Sequence, residues 1–274
     1  MIPQSKPRPQ SKPRPQPKPR PQSKPGPQSK PRPQSKPGPQ SKVKHKPNPR
    51  PKSKPESQAK LRSKPVVTSI DAQLKSTTKL DQYLSQLGYN NFEGHSGQLF
   101  AQSIFLVSQL RRLRPVNIME IGFNAGHSGL LFLQHSSANV VSFDLGQHSY
   151  VSKSGQYLQY SFPERHQLIL GNSTQTVPEY HNKNMNQKFD LIFIDGGHQW
   201  PICWLDLINC RSLAKDNTLI IMDDIVNELA WQKKYNLGPT RAWKQAQQEG
   251  WLQEEGHVEV RPGRGWSWGR YRRG

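Results

Sequence analysis

Two glycines four residues apart mark the first stretch of the chain that could support chemistry. Gly122 and Gly126 lie between an apolar run that begins at Val116 and a segment of helical character. Because glycine has no Cβ, such a loop can turn tightly and let a ligand lie against bare backbone. The helix that follows would point its free N–H groups and positive dipole end at that ligand. The pattern predicts a seat for a nucleotide-like cofactor.

Polar clusters follow five apolar runs of the central region. In chain order they are Gly122–Gly126, Asp144, Gly171–Ser173, Asp195–His198 and Asp223–Asp224. Ligands of an open α/β sheet bind beyond the carboxyl ends of its strands, so we expect these clusters to meet along one edge. One glycine loop is a weak signal, whereas five strand ends together are a much stronger one.

Two carboxylates belong to the first part of this pattern. Asp144 lies at the tip of the second predicted strand, where a carboxylate can accept hydrogen bonds from both hydroxyls of a ribose. The alternative is that Asp144 caps the turn before Gly146. Glu120 lies inside the first predicted strand and would be costly to bury unpaired. We expect it to reach the N–H groups of the loop or the amino group of the cofactor.

Strands and helices alternate through the folded part of the chain. After the apolar run at Val116, predicted strands cover 139–143, 167–170, 189–194 and 218–222. Predicted helices cover 70–87, 98–113, 128–134, 148–162, 174–180, 201–213 and 240–250. Strands that are apolar on both faces and separated by helices indicate a parallel sheet covered on both sides. Residues 255–273 predict a terminal pair of strands that turn at Pro262 and Gly263.

Four motifs occur in a fixed order along this region. They are Glu120-x-Gly122-x-x-x-Gly126, Asp144, Gly171-Asn172-Ser173 and Phe193-Ile194-Asp195-Gly196-Gly197-His198. The ordered set resembles class I S-adenosylmethionine-dependent methyltransferases, in particular the Ile-Asp-Gly-Gly-His group that is similar to metal-dependent O-methyltransferases. The resemblance covers about residues 95–225. It implies a Rossmann-like, seven-stranded, mostly parallel sheet with helices on both faces and an antiparallel last strand.

The resemblance also implies a set of residues that bind S-adenosylmethionine. In chain order they are Glu120, Gly122, Asn124, Gly126, Asp144, Asn172, Ser173 and Asp195. The glycine loop would hold the methionine part, Asp144 would hold the ribose, and Asn172 and Ser173 would border the adenine.

Catalytic and metal-binding roles follow from the same resemblance. Asp195, Asp223 and Asp224 stand where metal-dependent enzymes of this fold keep a cation, and three carboxylates suit Mg²⁺. A bound cation would lower the pKa of a substrate hydroxyl and orient it toward the methyl group. His198 would be the general base beside Asp195, since its unperturbed pKa lies near neutrality. The alternatives are that Asp223 and Asp224 cap a loop and that His198 only lines the pocket.

The sequence therefore predicts a methyltransferase that acts on a hydroxyl of a small molecule, with metal assistance left open. A nicotinamide dehydrogenase would carry Gly-x-Gly-x-x-Gly, which is absent here. Amine and adenine methyltransferases of this fold usually carry an Asn/Asp-Pro-Pro-aromatic motif, and this chain has Asp-Gly-Gly-His at that place. Ribose methyltransferases of the cap type use a Lys-Asp-Lys-Glu set, and we find no suitably placed lysine near Asp195.

Most of the net charge lies in the first part of the chain. The protein has 39 Lys and Arg against 19 Asp and Glu, a net charge of +20. Residues 1–65 hold 19 of these bases and one acid, Glu56, which leaves 20 bases and 18 acids for residues 66–274. A proline-rich hexapeptide repeat fills residues 3–42, and its prolines prevent a helix or sheet from propagating.

Two regions follow from this composition. We predict a disordered basic tail over 1–65 and one domain over 66–274, made of N-terminal helices (66–115), a cofactor-binding core (116–225) and a C-terminal helix and strands (226–274). The tail has too few apolar side chains to fold. It would be either a spacer or a non-specific contact to a polyanion.

The lysines and arginines of the chain also support an alternative function. The chain would then be a nucleic-acid-binding protein, with a methyltransferase-like fold that acts on a polymer or lacks activity. Its contacts would come from the tail and an arginine-rich end: Arg261, Arg264, Arg270, Arg272 and Arg273, with Trp266 and Trp268. An argument against this alternative is that an enzyme that has lost its activity has little reason to keep Asp144, Asp195 and Asp223 together.

Other features of the sequence set the expected location. Cys203 and Cys210 are seven residues apart, which predicts one helix face and two buried thiols rather than a disulfide framework. No apolar run reaches about 18 residues, so no membrane span is predicted. The N-terminus lacks the apolar region of a signal peptide. We therefore expect a cytoplasmic protein.

Overall fold

The computed structural model describes residues 79–92 and 100–272. The predicted tail (1–65) and the first part of the predicted helix 70–87 lie outside these residues. Residues 79–86 are helical and form α1. Gly88 follows α1 with φ +89°, a left-handed conformation that suits the end of a helix.

The rest of the described chain alternates strands and helices as the sequence predicts. The helices are α2 (Phe100–Leu113), α3 (His127–His135), α4 (Ser149–Ser161), α5 (Ser173–Lys183), α6 (Trp200–Arg211) and α7 (Leu237–Gln248). The strands are β1 (Asn117–Ile121), β2 (Asn139–Asp144), β3 (His166–Leu170), β4 (Phe189–Ile194), β5 (Ala214–Asp223), β6 (Leu252–Arg261) and β7 (Arg264–Tyr271). Two short 3₁₀ turns, Leu229–Trp231 and Lys234–Asn236, precede α7.

One seven-stranded sheet contains all of these strands, in the order β3-β2-β1-β4-β5-β7-β6. The pairs among β1 to β5 are parallel, whereas β7 runs antiparallel to both β5 and β6. The predicted fold class, a Rossmann-like and mostly parallel seven-stranded sheet, is confirmed. The carboxyl ends of β1 to β5 consequently point to the same edge.

The core has two layers because successive residues of a strand point to opposite faces of the sheet. In β4, Phe193 packs with apolar side chains of α1 to α4, whereas Ile192 packs with those of α5 to α7. Helices therefore cover both faces of the sheet. Cys203 and Cys210 lie on α6 and are both buried, as their spacing predicts.

No helix in the ranges 79–92 and 100–272 is long and apolar enough to cross a membrane.

Candidate active site

A cavity of about 510 Å³ opens at the carboxyl edge of the sheet. This volume lies in the range of small-molecule sites. The walls come from the turns after β1 to β5, together with residues of α2, β7 and the segment before α7. We distinguish two parts of the cavity by the residues that line them. The glycine-loop end is lined by Gly122, Asn124, Asp144 and Asn172, and the acidic end by Asp195, His198, Asp223 and Asp224.

Gly122 is required where the chain leaves β1. Its φ is +92°, and its N–H donates to the carbonyl of Phe143 at 2.8 Å. A Cβ at this position would lie 1.8 Å from the carbonyl oxygen of Asp195. Both the backbone conformation and the lack of space therefore exclude a side chain. The turns after β1 and β4 touch at this point.

Asp144 both caps its turn and lines the cavity. Its Oδ2 accepts from the N–H of Asn124 at 2.8 Å, and its Oδ1 accepts from the N–H of Gly146 at 2.7 Å. These bonds fix the carboxylate at the cavity wall. Each carboxylate oxygen can accept a further hydrogen bond. The two readings of Asp144 left open by the sequence are therefore compatible.

Asn172 and Ser173 reach the cavity from the start of α5. Asn172 caps this helix, because its Oδ1 accepts from the N–H of Thr174 at 3.1 Å. Both residues line the cavity. Gly126, with φ +83°, closes the glycine loop at the start of α3.

Glu120 lies beneath the glycine loop and does not line the cavity. Its side chain points to the sheet face covered by α1 to α4, where Oε2 accepts from the hydroxyl of Ser142 at 2.6 Å. The hydroxyl of Ser142 also lies 3.1 Å from Nε2 of His166. The expected contact of Glu120 with loop N–H groups is replaced by this buried network. Its binding to a cofactor stays a prediction.

Burial has a large effect on Glu120. The side chain is fully buried, and this raises the pKa of the carboxyl to about 7. Hydrogen bonds from Ser128 and Ser142 oppose the rise, and the nearby charge of Asp144 adds to it. The carboxyl under the loop therefore takes up a proton more readily than an exposed glutamate does.

Three carboxylates crowd the acidic end of the cavity. Burial raises the pKa of Asp195, and the charges of Asp223 and Asp224 raise it further. Burial and the charge of Asp224 likewise raise the pKa of Asp223. Such a cluster is costly to keep fully ionised and favours a proton or a cation in its midst.

Asp224 contacts a histidine and an arginine at the acidic end. Its Oδ2 lies 3.0 Å from Nε2 of His198, and its Oδ1 lies 3.4 Å from a guanidinium nitrogen of Arg264. The hydrogen bond to Asp224 raises the pKa of His198, and burial opposes the rise. Asp224 has φ +57°, which turns it away from the line of β5.

The potential ligand atoms of Asp195, His198 and Asp224 lie within 4.8 Å of one another. The sequence predicted instead that Asp195, Asp223 and Asp224 would hold a metal. In the described structure His198 takes the place of Asp223 in this group. Asp223 still lines the cavity and, like Asp224, is buried. Its role as a ligand stays a prediction.

Sequence reasoning missed three residues that line the acidic end: Gln102, Tyr235 and Arg264. Gln102 is one of two buried polar residues of α2, with Ser103, beside the buried Leu106, Val107 and Leu110. The hydroxyl of Tyr235 donates to the carbonyl of Gly263 at 2.8 Å. No local pattern placed Tyr235 or Arg264 in a cavity.

Two arginines of the arginine-rich end are engaged in ion pairs, whereas Arg261 and Arg272 are exposed. Arg264 pairs with Asp224, and Arg270 pairs with Glu255 at 2.5 Å. Trp266 is buried. This end therefore offers less free cationic surface than the nucleic-acid reading assumed, and Arg273 lies outside the described residues.

Comparison with known proteins agrees with this architecture. Residues 119–225 match the model of a family described as "Methyltransferase domain". The match confirms the resemblance found in the sequence. A search of curated protein sequences finds no match to the chain.

Three solved structures show the same fold. The chain is 18% identical to the O-methyltransferase from Bacillus cereus in complex with SAH, with a TM-score of 0.59 and coverage of 74% of this chain and 91% of that one. An O-methyltransferase from Streptomyces achromogenes, involved in tomaymycin synthesis and in complex with SAM, gives 15% identity, a TM-score of 0.58 and coverage of 74% and 96%. A putative caffeoyl-CoA O-methyltransferase from Staphylococcus aureus is 16% identical to the chain, with a TM-score of 0.57 and coverage of 75% of this chain and 98% of that one.

The contact between Gly122 and Asp195 predicts unequal effects of two alanine substitutions. Gly88 and Gly122 have nearly equal φ values, +89° and +92°, but a Cβ at Gly88 would meet nothing within 4 Å. Gly88→Ala should therefore cost only backbone strain, about 1–3 kcal/mol of unfolding free energy. Gly122→Ala should cost clearly more, because the turns after β1 and β4 must separate. Urea unfolding of both variants measures the difference, and equal losses would contradict the close approach.

The raised pKa of Glu120 predicts how stability changes with pH. Between pH 4.5 and about 7 the folded protein holds a proton on Glu120 that the unfolded chain has lost. The stabilisation from this proton is complete below pH 4.5 and is lost as pH rises to about 7. Glu120→Gln removes the titration, so its stability relative to the unmodified protein should rise over this range, on the order of 3 kcal/mol. Urea unfolding of both proteins at pH 4.5 and at about pH 8 checks this, and a constant difference would refute it.

Proposed function

We propose that the protein transfers a methyl group from S-adenosylmethionine to a hydroxyl of a small molecule, since residues 119–225 match a family model described as "Methyltransferase domain". One observation carries the proposal: the turns after β1, β2, β4 and β5 bring Gly122, Asp144, Asp195 and Asp224 to one cavity. The two SAH- and SAM-bound relatives described above are O-methyltransferases by name, which supports the same reaction class.

The glycine-loop end fits the predicted cofactor. The close backbone at Gly122 leaves a wall without side chains, and Asp144 presents a carboxylate whose position is fixed by two backbone N–H groups. We propose that Asp144 accepts hydrogen bonds from the ribose hydroxyls, while Asn172 and Ser173 border the adenine. S-adenosylmethionine supplies an electrophilic methyl group on a sulfonium. The neighbouring acidic end suits this positive charge.

The acidic end provides a base for the acceptor hydroxyl. In the neutral imidazole, Nε2–H of His198 donates to Asp224, which leaves Nδ1 free to take a proton. Asp224 thereby orients the ring and stabilises the imidazolium that forms, as in other carboxylate–histidine pairs. The acceptor oxygen, once relieved of its proton, is the nucleophile for the methyl group. Arg264 keeps part of the negative charge of Asp224 compensated.

A second arrangement of the same residues binds a divalent cation. It is favoured by the closeness of the donor atoms of Asp195, His198 and Asp224, and by the raised pKa values of Asp195 and Asp223. Carboxylate oxygens suit Mg²⁺ or Mn²⁺, whereas an imidazole suits a transition metal, so this mixed set of donors favours Mn²⁺ over Mg²⁺. A cation held there would lower the pKa of the acceptor hydroxyl. His198 would then be a ligand, and the two arrangements make different predictions.

The cofactor proposal predicts that one variant loses cofactor affinity and another loses methyl-transfer activity. The full chain should bind S-adenosylmethionine and S-adenosylhomocysteine with micromolar affinity in calorimetry. Asp144→Asn should weaken binding about tenfold or more, because it removes charge-assisted hydrogen bonds. His198→Gln should leave affinity within about twofold but lower S-adenosylhomocysteine formation about 10²–10⁴-fold with any accepted hydroxyl compound. Absence of binding heat in a correctly folded protein would sink the proposal.

The cation arrangement predicts Mn²⁺ binding that does not depend on activity. Electron paramagnetic resonance of Mn²⁺ added to the full chain should show a bound ion, and Asp195→Ala should weaken its binding about tenfold or more. Glu179→Ala, which changes an exposed carboxylate of α5, is the matched control and should have no effect. Activity that survives EDTA, together with no Mn²⁺ binding, would leave the His198–Asp224 pair as the base.

A further inference from the structure

Residues 229–248, which lead into α7 and include it, carry four cations and no carboxylate, and an exposed glutamate stands at each end, Glu228 and Glu249. The four cations are Lys233, Lys234, Arg241 and Lys244, and all four side chains are exposed. Within the described part of the chain, no ion pair engages any of them. A positive surface without acidic partners is suited to an anionic one.

Large aliphatic side chains stand among these cations. Leu229, in the first 3₁₀ turn, is 78% exposed, and Leu237, at the start of α7, is 50% exposed. Leu237, Arg241 and Lys244 follow the i, i+4, i+7 spacing of one helix face. Single exposed leucines need no explanation. Their combination with four cations, which outnumber the two glutamates at the ends of the stretch, is the unusual feature.

Helix α6 packs beside α7 and has exposed apolar and basic side chains of its own. The guanidinium of Arg241 stacks over the ring of Trp200 at 4.1 Å, so the outer sides of α6 and α7 adjoin. α6 exposes Leu205, Ile208 and Arg211, whereas its only carboxylate, Asp206, is fully buried. We call these exposed residues the basic apolar face: Leu205, Ile208, Arg211, Leu229, Lys233, Lys234, Leu237, Arg241 and Lys244.

We propose that the basic apolar face docks on the surface of an anionic lipid bilayer. Aliphatic side chains surrounded by lysine and arginine are the composition with which peripheral helices enter the headgroup region. Each cation near an anionic bilayer adds to the binding through the surface potential. The long stems of the lysines can lie along lipid while their ammonium groups meet headgroup phosphates.

Nucleic acid fits this face less well, because the tryptophans at α6 and after α7 are engaged by other side chains. Arg241 covers Trp200, and Arg211 lies over Trp251 at 5.0 Å. Trp204 lies between these two tryptophans, at 6.4 and 5.3 Å between ring centroids. A site for single strands needs free ring faces for the bases. The exposed leucines likewise have no use against a phosphate backbone.

The face borders the acidic end of the cavity. Tyr235 belongs to the same stretch, between Lys234 and Leu237, and lines the cavity. A bilayer on this face would therefore lie next to the place where, on the proposed function, the acceptor binds. Membrane docking itself does not depend on methyl transfer and is measured without turnover, so the two proposals can fail separately.

The experiment must separate this face from the basic region 1–65, which would also attract anionic vesicles. Leu229→Cys in the full chain carries an environment-sensitive fluorophore, since Cys203 and Cys210 are buried. Met185→Cys, at a side chain that is 69% exposed on the loop before β4, is the matched control. The vesicles contain phosphatidylserine, with brominated lipids as quenchers in the acyl region.

The proposal expects a blue shift and quenching of the fluorophore at 229 and neither effect at 185. If vesicles bind the protein but neither fluorophore shows a blue shift or quenching, docking occurs through another region and the proposal is overturned. A response at 229 to a single-stranded oligonucleotide, without a response to vesicles, would overturn it in favour of nucleic acid.

Vesicle partitioning of unlabelled variants gives a second measure. Leu229→Ser should weaken partitioning about tenfold, the effect of one leucine withdrawn from lipid. Lys233→Glu should weaken it about fivefold or more. The matched controls Met185→Ser and Lys183→Glu remove the same chemistry from α5 and its following loop. Equal losses in the controls would refute a specific face.

Discussion

The near-contact of two strand ends is the constraint on which this site depends. Gly122, at the end of β1, passes so close to the carbonyl of Asp195, at the end of β4, that no side chain fits between them. The glycine loop and the acidic cluster are therefore walls of one cavity. A parallel sheet makes this possible, because it brings the carboxyl ends of its strands to one edge. Ligands bound to the two walls would consequently meet.

Electrostatics gives the two walls different chemistry. At the glycine-loop end, backbone N–H groups satisfy and fix Asp144. At the acidic end, Asp195 and Asp223 repel each other and Asp224, and the pKa values of both rise. A fixed carboxylate suits a neutral polyol such as ribose. A crowded cluster suits a proton, a metal cation or the positive charge of a sulfonium, and it is arranged before any ligand arrives.

The terminal hairpin of β6 and β7 belongs to the site as much as to the sheet. Arg264 comes from β7 and reaches Asp224 across the edge. Glu259, on β6, accepts from the N–H groups of Asn227 and Glu228, and the carbonyl of Gly265 accepts from Ile225. These bonds hold the chain between β5 and α7. The same chain then continues into the basic apolar face, so the acidic end and that face share one support.

The sequence by itself determined the order of elements, both layers of apolar side chains and the strand ends that carry Gly122, Asp144, Asp195 and Asp224. These follow from local periodicity and from the rule that ligands bind at the carboxyl edge. Tertiary structure decided which way individual side chains point and which distant residues meet. β1 is apolar on both faces, so only packing shows that Glu120 points away from the cavity. Asp223 and Asp224 are adjacent in the sequence, and only the fold shows that Asp224 is the one that meets His198. Arg264 reaches the site because β7 pairs with β5, a strand that ends about 40 residues earlier.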